Sequence, residues 1–277
     1  MPRIFLITGT STGFGAHLVQ EVLDQGDIAV ATARKPESLK FKGTNEKNYL
    51  PLKLDVTQEN DIEAAFKATL EKFNRVDVVV NNAGFGLSGP FEELADSQIR
   101  QQMEVNFFGL INVTRKAMSV MREQKPSGGL IQNVTSVGGQ IGVPTFSIYC
   151  ASKWAVEAFT ETISQEVKPE WGIKFTVIEP GGFRTDFSGR SMSQPEKRLD
   201  AYDHIDVKKN KEERHGTQPG DPVKAAKAIY QLAGEKEPPL RCLLGSDGFT
   251  AVTKKLEKYR ENLVKYEKLT KSTDVDE

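Results

Sequence analysis

The sequence predicts an α/β fold: one doubly wound domain around a seven-stranded, mainly parallel sheet. Three observations carry this. Short β-branched runs alternate with helical patterns from residue 4 onward, the sequence form of repeated βαβ units. A glycine-rich turn closes the first such unit between strand and helix. The apolar run 76–80 lacks polar alternation, as a strand covered on both faces should.

Taken in order, the strands are expected at residues 4–8, 28–33, 49–54, 76–81, 130–134, 174–178 and 240–244. Helical patterns fall near 14–24, 59–73, 96–122, 152–167 and 222–233. Two regions leave this rhythm. Residues 188–220 are polar, and 208–214 carry six charges in seven residues, read as a solvated face. Near the end, Val252, Leu256, Tyr259, Leu263 and Tyr266 form one apolar helical stripe, read as packing on the chain's own core. The final residues after Lys271 are expected to fray.

A chain of 277 residues is long enough for a sizeable core, and α/β units of this length often form one domain. Residues 1–245 are expected to make that domain, with 246–277 as a C-terminal helix and tail packed on it. Lys plus Arg is 37 and Asp plus Glu is 38, a balance that argues against a general nucleic-acid binder. No apolar run approaches a membrane span. Two cysteines, Cys150 and Cys242, make no disulfide framework and suggest a reducing compartment. A strand begins almost at once, leaving no room for a signal peptide, so a cytoplasmic location is expected. His17, His204 and His215 are scattered without metal-ligand spacing, and no metal is expected. The sequons at Asn112 and Asn133 fall in a helix and a strand and are read as accidental.

The turn after the first strand reads Thr8-Gly9-Thr10-Ser11-Thr12-Gly13-Phe14-Gly15. Its glycines let backbone approach a pyrophosphate seated on the free N–H groups of a helix N-terminus. The second strand ends Ala33-Arg34-Lys35. An acid at its end would bind a ribose 2′-hydroxyl; Ala33 followed by Arg34 and Lys35 instead suits a 2′-phosphate, so NADP(H) is expected.

Tyr149 and Lys153 are four residues apart in a helical segment, hence about 6 Å apart on one face. An ammonium so placed favours the phenolate and lets tyrosine work as acid or base near neutral pH. The same spacing recurs at Tyr49 and Lys53, but in a strand, where it spans about 13 Å. Thirteen residues before Tyr149, Ser136 follows the strand 130–134, at the strand end where such sheets bind ligands.

With these residues in hand, the chain resembles the short-chain dehydrogenase/reductase family, in its compact Rossmann-type branch. The motifs are Thr8-Gly9-x-x-x-Gly13-x-Gly15, Asn81-Asn82-Ala83-Gly84, Asn106 in Val105-Asn106-Phe107-Phe108-Gly109, Ser136, Tyr149-x-x-x-Lys153 and Pro180-Gly181-x-x-x-Thr185. Phrases such as Asn82-Ala83-Gly84-Phe85-Gly86 are also similar to carbonyl reductases and to hydroxysteroid and retinol dehydrogenases.

The resemblance implies interconversion of a ketone or aldehyde with its alcohol by hydride transfer. Tyr149 would be the general acid/base, and Lys153 would lower its pKa and bind the nicotinamide ribose. Ser136 would hold the substrate oxygen, and Asn106 a water linking Lys153 to solvent. Ser11, Thr12, Phe14, Asp55, Val56, Asn82, Ala83, Gly84, Pro180, Gly181, Phe183 and Thr185 would complete the cofactor site. Asp55 would meet the adenine, Asn82 its ribose, and Thr185 the carboxamide. Thr12 stands where some NADP enzymes of the family carry a base, so 2′-phosphate recognition rests on Arg34 and Lys35.

Segments 85–90, 138–146 and 187–220 would shape the substrate pocket, with Val143, Phe146 and Phe187 giving it apolar or aromatic character. The family also implies a homodimer or homotetramer through the helices bearing Asn106 and Tyr149. The rival reading is a non-catalytic NADP(H)-binding regulator on the same fold.

Overall fold

A computed structural model describes residues 1–214 and 216–275. His215 therefore lies outside the described residues. Seven strands form one sheet: β1 (Ile4–Ile7), β2 (Ile28–Ala33), β3 (Tyr49–Lys53), β4 (Val78–Asn81), β6 (Gly129–Val134), β7 (Ile173–Pro180) and β9 (Arg241–Leu244). Their order is β3-β2-β1-β4-β6-β7-β9, and every pairing is parallel. A separate two-residue ladder joins β5 (Gly86–Leu87) to β8 (Met192–Ser193).

The period-2 alternation of strand side chains splits the core between two faces. Ile4 and Leu6 of β1 face Phe66 of α2 (Glu59–Phe73), Met121 of α4 (Leu110–Glu123) and Ile163 of α5 (Ser147–Glu166). Phe5 and Ile7 turn the other way, onto Leu18 and Val22 of α1 (Gly13–Asp24) and Ile229 of α7 (Pro222–Leu232). The chain winds outward from β1 to β3 and then, through β4, to β9 on the other side. The strand order thus reverses between β1 and β4, which opens a crevice at their carboxyl ends.

The helix expected over 96–122 is three pieces. α3 (Asp96–Met103) passes through a π-helical turn, Glu104–Gly109, into α4. Asn106 sits in that turn, fully buried. One extra residue per turn barely disturbs an apolar periodicity, so the sequence pattern did not expose it.

Between β7 and α7, the polar segment forms β8, short 3-10 turns and α6 (Val207–Arg214). Asn133 is wholly buried and bonded to Thr160, so its sequon is no glycan site.

The C-terminal stripe departs from expectation. α8 (Ser246–Lys265) leaves the sheet edge directly after β9, and a short α9 (Glu267–Lys271) follows. Gly248 is buried, and Lys255 lies over the Trp154 indole and bonds the Gln140 carbonyl. Farther along, Leu256, Tyr259 and Leu263 are 57, 60 and 52% exposed. The stripe therefore does not pack on the chain's own core beyond Lys255, because the helix runs past the edge of the sheet.

Candidate active site

The turn between β1 and α1 is built by close backbone approaches. Gly9 has φ +69°, and a Cβ there would lie 2.8 Å from Ala83 Cα. A Cβ on Gly15 would lie 2.5 Å from the Gly9 carbonyl oxygen. Asn82 tightens the same turn: its Nδ2 donates to the carbonyls of Thr8 (2.9 Å) and Gly9 (3.0 Å). Thr8 Oγ1 accepts from the N–H groups of Asn82 and Ala83. Thr12, at the N-cap of α1, makes no side-chain cap bond, so the first amides of the helix face the crevice uncapped. A dinucleotide fits such a turn, since helix N-termini favour anions.

Around this turn the crevice opens into a cleft of about 1420 Å³, larger than one small-molecule pocket and sufficient for a dinucleotide plus substrate. Arg34 and Asp55 border its far end. Asp55 Oδ1 accepts from Thr57 N and Oγ1, which sets the turn into α2. Phe14 and Phe183 meet edge-on at 5.1 Å, and Thr185 stands over Gly13. The loop after β7 therefore folds back onto the glycine turn.

At the centre, Tyr149 and Lys153 are buried on the first turns of α5. Tyr149 stands beside Ser136: a Cβ on Gly138 would lie 3.4 Å from Tyr149 Cε1 and 3.5 Å from Ser136 Oγ. Ser136 Oγ also accepts from Gly138 N (3.0 Å), which holds the hydroxyl at the end of β6. Burial pushes the Tyr149 phenol up to about 12, with Ser136 lowering it in part. Lys153 Nζ donates to the Val134 carbonyl at 2.9 Å and lies 5.8 Å from the Tyr149 ring centroid. Burial brings its own pKa down to about 8.

The expected lowering of the phenol by Lys153 is therefore not met in this state. Desolvation is the largest cause, as for a tyrosine closed off from water. The arrangement is a protonated phenol beside a hydroxyl, poised to give a proton to an oxygen placed between them.

The side chain of Asn106 is engaged with backbone. Its Oδ1 accepts from Phe85 N and its Nδ2 donates to Phe85 O, so the side chain pins the loop after β4. A water there is left to its main-chain carbonyl or a spare lone pair.

Opposite the phenol, Phe146 and Phe187 approach the Tyr149 ring with centroids at 5.9 and 5.3 Å, and Val143 borders the same space. Phe187 reaches this position because β8 pairs with β5 and pulls the polar segment over the cleft. Leu199 N, bonded to Glu93, and Tyr202 OH, bonded to Glu92, hold it farther out. Cys150 packs behind Gly138, and burial pushes its thiol up, as suits a packing residue.

Apart from Gly15 and Lys35, every residue assigned to the cofactor borders the cleft. So do Ser136, Tyr149, Lys153, Val143, Phe146 and Phe187, whereas Asn106 stands behind the wall. Sequence reasoning missed Met192, which lines the pocket, and Asp247, whose Oδ2 accepts from Gly182 N at 2.8 Å. The only signal for Asp247 was an acid in the first turn of the helix after the last strand. Among the described residues no His, Cys, Asp or Glu cluster could hold a metal, and no helix is long and apolar enough to cross a membrane.

The short chain dehydrogenase family profile matches residues 3–196, and the chain belongs to that family, whose members are oxidoreductases. Oxidoreductase BOA17 of Botryotinia fuckeliana is 40% identical over 253 residues, covering 89% of this chain and 90% of that protein. The crystal structure of a short-chain dehydrogenase from Streptomyces avermitilis superposes with a TM-score of 0.88 at 35% identity, covering 99% of this chain and 100% of that one. An alcohol dehydrogenase of the archaeon Thermococcus sibiricus, solved with 5-hydroxy-NADP, gives a TM-score of 0.69 at 25% identity over 88% of this chain and 96% of its own.

Proposed function

We propose that this chain is an NADP(H)-dependent reductase that interconverts an apolar ketone or aldehyde with its alcohol. The observation that carries the reading is the buried Tyr149 standing beside Ser136 at the carboxyl end of β6, one helical turn from Lys153. When bound, the cofactor supplies the hydride. Ser136 orients the carbonyl oxygen and stabilises charge as it develops. Tyr149 gives its proton to that oxygen in reduction and takes it back in oxidation. Lys153 binds the ribose hydroxyls and steadies the phenolate left behind. A phenol pushed up by burial stays protonated through the neutral range, as its donor role in the reductive direction requires.

Arg34 is the group for the 2′-phosphate, with Lys35 a weaker second charge. The complex of the Thermococcus relative with 5-hydroxy-NADP supports the same cofactor class. Phe146, Phe187 and Val143 favour an apolar or aromatic substrate. Residues 1–245 act as one cofactor-binding and catalytic unit, with 246–277 as its terminal helix and tail. The enzyme works in the cytoplasm as a homodimer or homotetramer, a reading supported by Phe108 and Trp154, 45 and 44% exposed on the helical segments bearing Asn106 and Tyr149.

Tyr149→Phe is the test. With NADPH oxidation followed over a panel of ketones and aldehydes, the variant should lose about 10²–10⁴-fold in kcat and keep its affinity for NADPH. A wild-type chain that binds NADPH but turns over no carbonyl would instead be a cofactor-binding regulator.

A further inference from the structure

One turn beyond Lys153 on α5, Glu157 is 4% exposed, and Glu179 at the end of β7 is 3% exposed. Neither takes part in the mechanism above. Thr135 Oγ1 donates to Glu157 Oε1 at 2.6 Å, and Gln140 Nε2 donates to Glu179 Oε1 at 2.8 Å. Thr135 and Gln140 stand at the two ends of the turn that carries Ser136. The two carboxyls thus hold that turn from both sides, one from the helix of Tyr149 and one from the sheet.

Charge does not balance here if both are ionised. Arg241 on β9 is the cation between them: its Nε is 3.0 Å from Glu157 Oε2 and 3.7 Å from Glu179 Oε1, while Nη2 is drawn to Glu161 at 2.5 Å. One guanidinium faces three carboxyls. Glu157 and Glu179 thus crowd one Arg241 Nε while both are almost wholly buried, and two carboxylates so placed are relieved by taking up one proton.

We propose that Glu157 and Glu179 share one proton at neutral pH and, so joined, are positioning residues that clamp the Ser136 turn against Tyr149. The catalytic consequence rests on the reductase reading; the shared proton does not. Burial raises both carboxyls above the usual carboxylate range, and the charge of Glu157 raises Glu179 further. The groups facing the pair are Lys153 and Glu161 from α5, Arg241 and Cys242 from β9, and Lys255 from α8 through the Gln140 carbonyl. The segment after β6 contributes the uncharged Thr135 and Gln140. A raised folded-state pKa means that stability from the pair is full below the ordinary carboxylate value and is lost as pH rises through the raised one. Above that point the clamp carries two charges against one shared guanidinium and loosens.

The experiment is isotope-edited infrared spectroscopy of the full chain, which reads the protonated carboxyl directly. At neutral pH a protonated-carboxyl band is expected in the wild type and is lost in Glu179→Gln; its absence from the wild type overturns the proposal. The wild-type kcat should fall as that band titrates away, with the KM for NADPH unchanged. Glu179→Gln, which keeps a donor toward Glu157, should flatten that limb; a variant profile superimposed on the wild type overturns the positioning role. A wild-type band without turnover of any carbonyl upholds the shared proton and overturns the reductase reading instead.

Discussion

Under the proposed NADP(H) reading, cofactor choice turns on Arg34. It is exposed at the cleft's edge, directly after Ala33, which occupies the place of a ribose-binding acid. Lys35 does not border the cleft, so the two cations that the sequence treats alike separate in the structure. A charge-assisted bond to phosphate contributes about 1.5–3 kcal/mol, or roughly 10- to 150-fold in binding. Arg34→Ala should therefore raise the KM for NADPH by about that factor and leave NADH unchanged, whereas Lys35→Ala should change either by less than about threefold. Initial-rate kinetics with both cofactors check this; an unchanged KM for NADPH in Arg34→Ala removes the 2′-phosphate assignment. Tyr149 teaches the complementary lesson. Its partners were legible from a four-residue spacing, but the sign of its pKa shift was not, because desolvation depends on how Phe146 and Phe187 close over it.

Elements were legible where a period or a turn signal repeats over several residues. Every expected strand is present within about two residues, since β-branched runs bounded by turns leave little choice. The start of α5 was read too late, at residue 152 rather than Ser147, because Thr145 and Phe146 give no capping signal. For α8, the stripe was visible but its environment was not: amphipathicity says that a face exists, never what covers it. The exposures of Leu256 and Leu263 give a measurable consequence. Leu256→Ser with Leu263→Ser should move stability by no more than about 0.5 kcal/mol per site, as for ordinary surface positions. Phe66→Ala, in the wholly buried core between β1 and α2, should cost about 3–5 kcal/mol. Denaturant midpoints compare the two; a large, concentration-dependent loss in the α8 variant would mean that a second copy covers the stripe in solution.

At the scale of the molecule, residues around one α/β sheet and the segment between β7 and α7 line a single cleft, which the proposed function divides between cofactor and substrate. The sequence showed that segment only as polar text. Its attachment runs through backbone pairing and single contacts, which leave no side-chain period: Gly86 N bonds the Ser191 carbonyl, Ser88 N the Ser193 carbonyl, and Pro195 seats on Gly89. Gly89 is the sharpest point of this seam, since a Cβ there would lie 2.2 Å from Pro195 Cγ, in a ring that cannot bend aside. Gly89→Ala must therefore displace the segment that carries Phe187 toward Tyr149. Pro195 does not border the cleft, and the glycine turn meets this segment through Phe183 and Thr185. Roughly tenfold or more should appear in the KM for the carbonyl, with kcat falling as the oxygen loses its alignment between Ser136 and Tyr149. NADPH affinity, measured by fluorescence titration, should fall less than affinity for the carbonyl, because Phe183 and Thr185, which join this segment to the glycine turn, lie farther from Pro195 along the chain than Phe187 does. Equal losses in both would show that the wall and the cofactor cleft move as one body, and that the fold couples substrate capture to NADPH binding.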